Sequence, residues 1–484
     1  MSESCLRLES TYTNLPHIFF SKTSPIPVQK PEVVIFNHAL AKEMGIDLSQ
    51  FSEQQKAELL AGNLIPDGCT PFAQAYAGHQ FGNFTMLGDG RAIVLGEHIT
   101  SSGKRFDIQY KGSGRTPYSR GGDGRAALGP MLREYLISEA MYGLGIPTTR
   151  SLAVVATGET VYRENELPGA ILTRIAGSHI RVGTFEFASL HEDKTITQAL
   201  LDYLIDRHFP SLNDKENKPL ALLEAAMEQQ AGLVTHWMRV GFIHGVMNTD
   251  NMALSGETID YGPCAFMDIF APDTVFSSID HKGRYAYANQ PYVARWNLAR
   301  LAESLLPLMD DKKENAIEMA EEALNAFEDI YKSKWLSMMG SKLGLLVTRK
   351  EDEKLVIELL DWIHQNRADY TNTFRNLAKP ELTREPVYAT ESFRAWHVRW
   401  QNRLQEEKQG WDSSVTLMDS VNPAVIPRNH KVEEALQAGE EGDLIPLHNL
   451  LKALENPYQD GDHLIPYQSP PEASEKVYQT FCGT

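Results

Sequence analysis

The residues of this chain whose types and spacing could do chemistry fall into four short groups, in one order. The first is Leu87-Gly88-Asp89-Gly90-Arg91, a glycine-spaced loop ahead of the apolar run Ala92–Gly96. Without a Cβ, glycine lets backbone N–H groups approach phosphate oxygens closely. The second is Lys111, which ends the β-like run Phe106–Lys111 and precedes Gly112-Ser113-Gly114. An ammonium there has open space for an anionic ligand beside it. The third is Glu134, in the helical pattern that follows. The fourth is His244-Gly-Val-Met-Asn-Thr-Asp250-Asn251, with Ile259-Asp260-Tyr261-Gly262 after it. Asn251 and Asp260 offer the hard oxygen ligands that Mg²⁺ takes, with waters and phosphates completing its shell. Asp250, beside them, offers a carboxylate that can accept a proton. Taken singly, each has an ordinary reading as a hairpin turn, a solvated lysine, a helix-surface glutamate or a turn aspartate. Their joint order is what argues for a nucleotide site.

That order is similar to the protein-kinase pattern. There a strand lysine pairs with a helix glutamate, and H-R-D-x-x-x-x-N precedes a metal-binding D-F-G. Seven residues after His244 stands Asn251, and Asp260-Tyr261-Gly262 occupies the D-F-G position. Two residues after His244, where the kinase base belongs, stands Val246. Valine cannot accept a proton, so Asp250 becomes the candidate base. A second departure is the insert between Lys111 and Glu134, which sets Arg115, Arg120 and Arg125 among glycines. Arg174 and Arg181 follow later. Guanidinium forks bind phosphate bidentately, although each arginine alone could be a surface ion pair.

The elements needed to position these residues can be read from periodicity. Ala92–Gly96, Phe106–Lys111, Ser151–Ala156 and Ala170–Ile175 read as strands of a mainly antiparallel sheet. Apolar residues at helical spacing predict a helix over Leu132–Leu144, stopped by Gly143, Gly145 and Pro147. Another is predicted over Leu222–Val240, followed by a short β-like pair, Met252–Leu254 and Thr258–Asp260. Later helices are predicted at Trp296–Met309, Glu314–Leu336, Glu353–Asn366 and Ser392–Lys408, with a polar loop over Pro457–Pro471. The expected fold class is α+β, a protein-kinase-like two-lobe fold with an N-terminal extension and a helical C-terminal elaboration. Its expected boundaries are 1–74 for the extension and 75–182 for the N-lobe with its nucleotide-binding insert. The C-lobe core with its catalytic and metal loops follows at 183–295, then the helical region and cysteine-bearing tail at 296–484.

Composition narrows the function classes. The 484 residues carry 46 basic against 64 acidic side chains, a net charge of −18. That balance argues against nucleic-acid binding through phosphate contacts. Hydrophobic residues at 42% and charged residues at 23% are ordinary for a soluble protein. No run approaches the roughly 20 apolar residues that span a bilayer, and no secretory signal is seen, so a cytoplasmic setting is expected. Four cysteines, none in a Cys-x-x-Cys pair, exclude a disulfide scaffold and disfavour structural zinc.

The blocks YAGHQFGNFTMLGDGRAIVLGE, YKGSGRTPYSRGGDGRAALGPMLREYLISEAM, HGVMNTDNM and IDYGPCAFMD resemble the selenoprotein O family of protein adenylyltransferases. NPAVIPRNH, over 422–430, extends the resemblance toward the C-terminus. It implies a kinase-like fold that binds ATP in reversed orientation. AMP from ATP, or UMP from UTP, would pass to Ser, Thr or Tyr hydroxyls of protein substrates, releasing pyrophosphate with Mg²⁺ or Mn²⁺. The implied nucleotide contacts are Gly88, Gly90, Arg91, Lys111, Asp123, Gly124, Arg174 and Arg181. Asp250 would be the proton acceptor, Asn251 and Asp260 the metal ligands, and Glu134 the residue that positions Lys111. The family idea of a redox-linked disulfide points to Cys482 and, as its partner, Cys264. Two other readings stay open: an atypical kinase that transfers the γ-phosphoryl group, and a nucleotide-binding pseudokinase scaffold. Retention of Lys111, Glu134, Asn251 and Asp260 weighs against the scaffold.

Overall fold

The computed structural model describes residues 6–379, 382, 386–408 and 410–481. Its largest sheet has nine antiparallel strands. The main path runs Phe20–Lys22, Phe72–Gln74, Ala92–Ile99, Arg105–Lys111, Glu166–Ala176, Arg150–Tyr162, Glu32–Phe36. Leu8–Glu9 and Ala126–Ala127 join at its sides. Strands from the first 74 residues are thus members of the same sheet as Lys111.

The central strands bury both faces. Val94, Val154 and Leu172 enter the main core, while their neighbours Leu95, Val155 and Ile171 enter a second cluster. Successive side chains of a strand point to opposite faces, so a doubly covered strand reads as continuous apolar sequence, as AIVLG does. The helix Leu128–Gly143 covers one face through Leu132, Leu136 and Met141. The short helices His38–Met44 and Glu53–Ala61 cover the other through Leu40, Leu59 and Leu60.

The helix Leu128–Gly143 begins four residues earlier than its apolar periodicity predicts. Pro130 sits in its first turn, where a missing N–H breaks no intrahelical bond. Gly145, at φ +69°, turns the chain out at the far end. Helix Lys218–Val240 has Asn217 as its N-cap and left-handed Gly241 as its stop. It delivers the chain into Phe242–Ile243, which pairs with Ala265–Phe266. The four later helices are present as Gln290–Met309, Lys313–Lys342, Asp352–Gln365 and Glu391–Leu404. Tertiary packing adds helices where periodicity is weak, among them Lys194–His208, Asn429–Glu440 and Ile445–Leu454. Within Pro457–Pro471 the structure adds two short helical turns, Asp462–Leu464 and Ile465–Gln468.

The expected β-like pair over Met252–Leu254 and Thr258–Asp260 is not a ladder. Each arm bonds outward instead. Val182 N donates to Met252 O at 3.0 Å and Leu254 N to Ile180 O at 2.9 Å. On the other arm, Thr149 N donates to Thr258 O at 3.0 Å and Thr258 N to Pro147 O at 2.9 Å. Flanking segments thus take these backbone groups of both arms, in place of a mutual pairing.

Candidate active site

Register builds the centre. Lys111 lies opposite Ala92 on one neighbouring strand and Leu172 on the other, and Gln109 lies opposite Arg174. Lys111 and Arg174 therefore project from adjacent strands on one face, toward Glu134 of the covering helix. Lys111 Nζ donates to Glu134 Oε2 at 2.5 Å and to Asp260 Oδ1 at 2.9 Å. Arg174 Nε donates to Glu134 Oε1 at 2.8 Å, and its Nη2 reaches the same oxygen. Burial alone would raise the Glu134 carboxyl, but Arg174 and Lys111 outweigh it and hold the carboxyl below its usual range. Asp260 is held lower still, because Lys111, Arg174 and Arg91 overcome its desolvation. Its φ is +68°, a left-handed conformation uncommon for any residue but glycine. Backbone strain of this kind is concentrated at functional sites.

The glycine loop lies against this cluster through Asp89. Asp89 Oδ2 accepts from Gln74 N at 3.1 Å and from Gln109 Nε2 at 3.5 Å. Its Oδ1 lies 3.6 Å from Arg181 Nη2, and Arg181 stacks 4.3 Å from the Tyr76 ring centroid. Arg181 Nη1 is buried without a hydrogen-bond partner. Arg91 lines the same cavity as Lys111, Glu134 and Asp260. At Gly88 and Gly90 an added Cβ would strike Tyr118, on the arginine-bearing insert. The insert is tied there by Thr116 Oγ1 donating to Asp89 O at 2.6 Å and by Ser119 Oγ donating to Gly90 O.

Two expected nucleotide contacts lie elsewhere on that insert. Asp123 pairs with Arg163 at 2.8 and 3.0 Å. Gly124, at φ +70°, packs its backbone against Gly114, where no Cβ fits. Arg125 donates to Ile26 O at 3.1 Å and lies 3.2 Å from Glu159. Arg115 donates to Gly121 O at 3.2 Å. The structure thus brings Gly88, Gly90, Arg91, Lys111, Glu134, Arg174, Arg181 and Asp260 into one neighbourhood. Asp123 and Gly124 stay with the outer part of the insert.

The loop after Ile243 carries the remaining chemistry. His244 is buried and its Nε2 bonds Ile259 O at 3.0 Å, linking this loop to the residue before Asp260. Burial keeps the His244 imidazole below its usual range, hence neutral. Val246 is buried, and Asn251 Nδ2 donates to its carbonyl at 3.0 Å. Asp250 Oδ1 is buried without a hydrogen-bond partner. Desolvation pushes the Asp250 carboxyl up to about 6, against the pull of a backbone hydrogen bond and Arg181. A hairpin of Ala77–Gln80 with Asn83–Met86 lies over it. Gly78 presents bare backbone to Asp250, and a Cβ there would stand 2.6 Å from Oδ1.

Among the described residues no cluster of three or more His, Cys, Asp or Glu side chains could cage a metal. The donors available suit a different arrangement. Asn251 commits its amide nitrogen to Val246 O, which leaves its oxygen as the donor end. With Asp260, this makes a sparse oxygen set of the kind that holds Mg²⁺ together with substrate phosphates. The residues therefore fit a cation that arrives with nucleotide.

A cavity of about 370 Å³ opens beside Lys111, Glu134 and Asp260 and is closed on its far side by Glu433, Val477 and Phe481. The tail is anchored there, with Thr480 N donating to Phe276 O at 2.8 Å and Thr480 Oγ1 to Pro263 O at 2.5 Å. Cys264, next in sequence to Pro263, is a free and fully buried thiol, pushed up to about 12 by desolvation. Cys482 lies outside the described residues.

Sequence reasoning does not single out Asp89, Gln109, Tyr76, Gly78 or Arg133. Asp89 sits between the two glycines already under suspicion, and that position was its signal. Arg133 stands beside Glu134 and reaches the loop after Asp260, with Nε donating to Gly262 O at 2.9 Å and Nη2 to Cys264 O at 2.5 Å. Nothing in its local pattern reveals that contact.

The family model described as protein adenylyltransferase SelO matches residues 4–455. The chain is 56% identical over 477 residues to the protein nucleotidyltransferase YdiU of Nitrosococcus oceani, covering 98% of this chain and 97% of the relative. The Brevibacillus brevis protein of the same name is also 56% identical over 477 residues, with the same coverage. The Bacillus mycoides protein is 53% identical over 484 residues, covering 100% of this chain and 99% of the relative. On this match over nearly its whole length, and on the site just described, the chain belongs to the SelO family of protein adenylyltransferases.

Proposed function

We propose that this protein nucleotidyltransferase moves AMP from ATP to a Ser, Thr or Tyr hydroxyl of a protein substrate, with Mg²⁺ or Mn²⁺ accompanying the nucleotide. UTP as UMP donor is the same reaction with another base. The observation that carries the reading is Lys111 bonded at once to Glu134 and Asp260, with Asp250 rather than residue 246 as the carboxylate on the adjoining loop. In an in-line transfer the substrate oxygen bonds to the α-phosphorus while the bond from that phosphorus to the pyrophosphate oxygen breaks. The hydroxyl proton passes to Asp250, whose raised pKa suits it to accept. Lys111 and the Arg91, Arg174 and Arg181 guanidiniums are placed to neutralise charge on the departing pyrophosphate. Bound at Asn251 and Asp260, the divalent ion would supply Lewis-acid stabilisation of the phosphate oxygens.

The architecture supports a kinase-like two-lobe reading, with the nine-stranded sheet and the Glu134 helix as one lobe and the helices after residue 183 as the other. Among the described residues no helix is long and apolar enough to cross a membrane. The free Cys264 thiol and the net charge of −18 suit a cytoplasmic enzyme that does not bind nucleic acid.

The test is incubation with ATP labelled at the α- or the γ-phosphate. Incorporation of α-label into protein, with pyrophosphate released, is expected. Incorporation of γ-label alone would establish the kinase reading, and nucleotide binding without incorporation of either label would establish the scaffold.

A further inference from the structure

We propose that the groove between the Asp250-covering hairpin and residues 279–293 docks an acidic segment of the protein substrate, next to its acceptor hydroxyl. The proposal rests on the transfer reading above and names the substrate feature which that site recognises.

The groove has a volume of about 670 Å³, with Phe81, Ile279, Lys282, Arg284 and Tyr292 in its lining. Its hairpin wall is joined to the loop of the proton acceptor. Phe81 N donates to Asn248 Oδ1 at 3.1 Å and to Tyr285 Oη at 3.2 Å, and Tyr285 Oη donates to Asn248 Oδ1 at 2.6 Å. Asn248 stands two residues before Asp250, and the same hairpin lays Gly78 on the Asp250 carboxylate. A chain seated in the groove thus lies against the hairpin that covers the proton acceptor, on the wall bonded to Asn248.

The lining is suited to a peptide. Ile279 is 45% exposed and Tyr292 65% exposed, large apolar surfaces that solvent alone does not favour. The charge is one-sided. His281 and Lys282 are exposed. Arg284 is stacked 4.7 Å from the Trp296 ring centroid and has its Nε buried without a hydrogen-bond partner. The one lining carboxylate among the described residues, Asp280, is buried and turned inward. Its Oδ1 accepts from Arg284 N at 2.9 Å and its Oδ2 from Tyr285 N at 2.8 Å. On a chain of net charge −18, a cationic groove beside the acceptor loop is a local exception. Charge complementarity of this sort selects partners and sets their register.

The experiment uses two fluorescein-labelled peptides, each with one tyrosine between leucines. One carries flanking glutamates and the other lysines at the same positions. Anisotropy titrations without nucleotide should show the glutamate peptide binding the full chain about tenfold or more tightly than the lysine peptide. The double variant His281→Glu, Lys282→Glu should lose about tenfold in affinity for the glutamate peptide. Both residues are exposed, and unchanged circular dichroism would verify the fold. Equal affinity for the two peptides, or undiminished binding of the glutamate peptide by the charge-reversed variant, would overturn the proposal. Adding α-labelled ATP separates the two readings. Selective peptide binding without label transfer to any protein or peptide counts against adenylyl transfer and leaves the docking groove standing.

Discussion

At the residue scale, the centre is a chain of charges in which Glu134 holds two cations at once. Removing it would free both Lys111 and Arg174, so the expected losses are not additive. Lys111→Ala, Glu134→Ala and the double variant should each lose about 10²-fold or more in kcat/KM, at similar levels, because the residues act as a unit. Strictly multiplicative losses in a double-mutant cycle would show that the pair is not formed during catalysis. Asp250→Asn keeps the shape but cannot take a proton, and a loss of about 10²- to 10⁴-fold is expected with unchanged ATP affinity. Excess EDTA should stop α-label transfer, and added Mg²⁺ or Mn²⁺ should restore it, whereas Asp260→Ala should not be rescued by either ion. That Lys111, Glu134 and Asp260 meet could be read from sequence, because a strand-end lysine, a glutamate on the next helix and an aspartate at a set distance from His244 form a known order. Asp89 and Arg133 could not, since their roles depend on which backbone groups the fold brings to them.

At the element scale, the helix carrying Glu134 and the strands carrying Lys111 and Arg174 are legible from the sequence. Each repeats its apolar pattern over enough residues to fix a face. The hairpin over Asp250 is not, because Ala77–Gln80 and Asn83–Met86 are only four residues each, AGHQ has no alternation, and the brief alternation of NFTM is too short to mark a strand. The expected ladder after Met252 fails for a related reason. Three-residue arms carry too little pattern to reveal that flanking segments take their hydrogen bonds. Gly78 supplies the test at this scale. Gly78→Ala puts a methyl group 2.6 Å from Asp250 Oδ1, so the carboxylate must shift. A misplacement near 1 Å can cost about 10²-fold in rate. Gly78→Ala should therefore lose kcat while its melting temperature stays near that of the parent, and full activity would show that the hairpin does not set the carboxylate.

At the scale of the whole molecule, a partly buried polar cluster joins the end of the strand Glu166–Ala176 to the loop after Asn251. Glu257 Oε2 accepts from Gly177 N at 2.8 Å and from Ser255 Oγ at 2.8 Å. Desolvation raises its carboxyl from 4.5 to about 7. A raised carboxyl favours the folded state while protonated. Its contribution is complete below the unfolded value and is lost as pH rises through about 7. Glu257→Gln should match the parent near about pH 4 and melt higher than the parent at about pH 8. A melting-temperature difference that does not grow with pH would contradict the assignment.

Arg133 joins parts that lie far apart in sequence. From the helix that carries Glu134 it holds the Gly262 and Cys264 carbonyls just beyond Asp260, and with Nη1 it holds Glu433 of the helix Asn429–Glu440 at 2.8 Å. One guanidinium thus joins the helix of Glu134, the loop after Asp260 and the helix Asn429–Glu440. A small molecule wedged between Arg133 and Glu433 would sit in the same cavity as Lys111 and Asp260, so it would part this joint and meet the nucleotide's phosphates at once. Inhibition of that kind should weaken as ATP is raised, while the contact with Glu433 gives the inhibitor a hold that lies outside the Lys111–Glu134 pair.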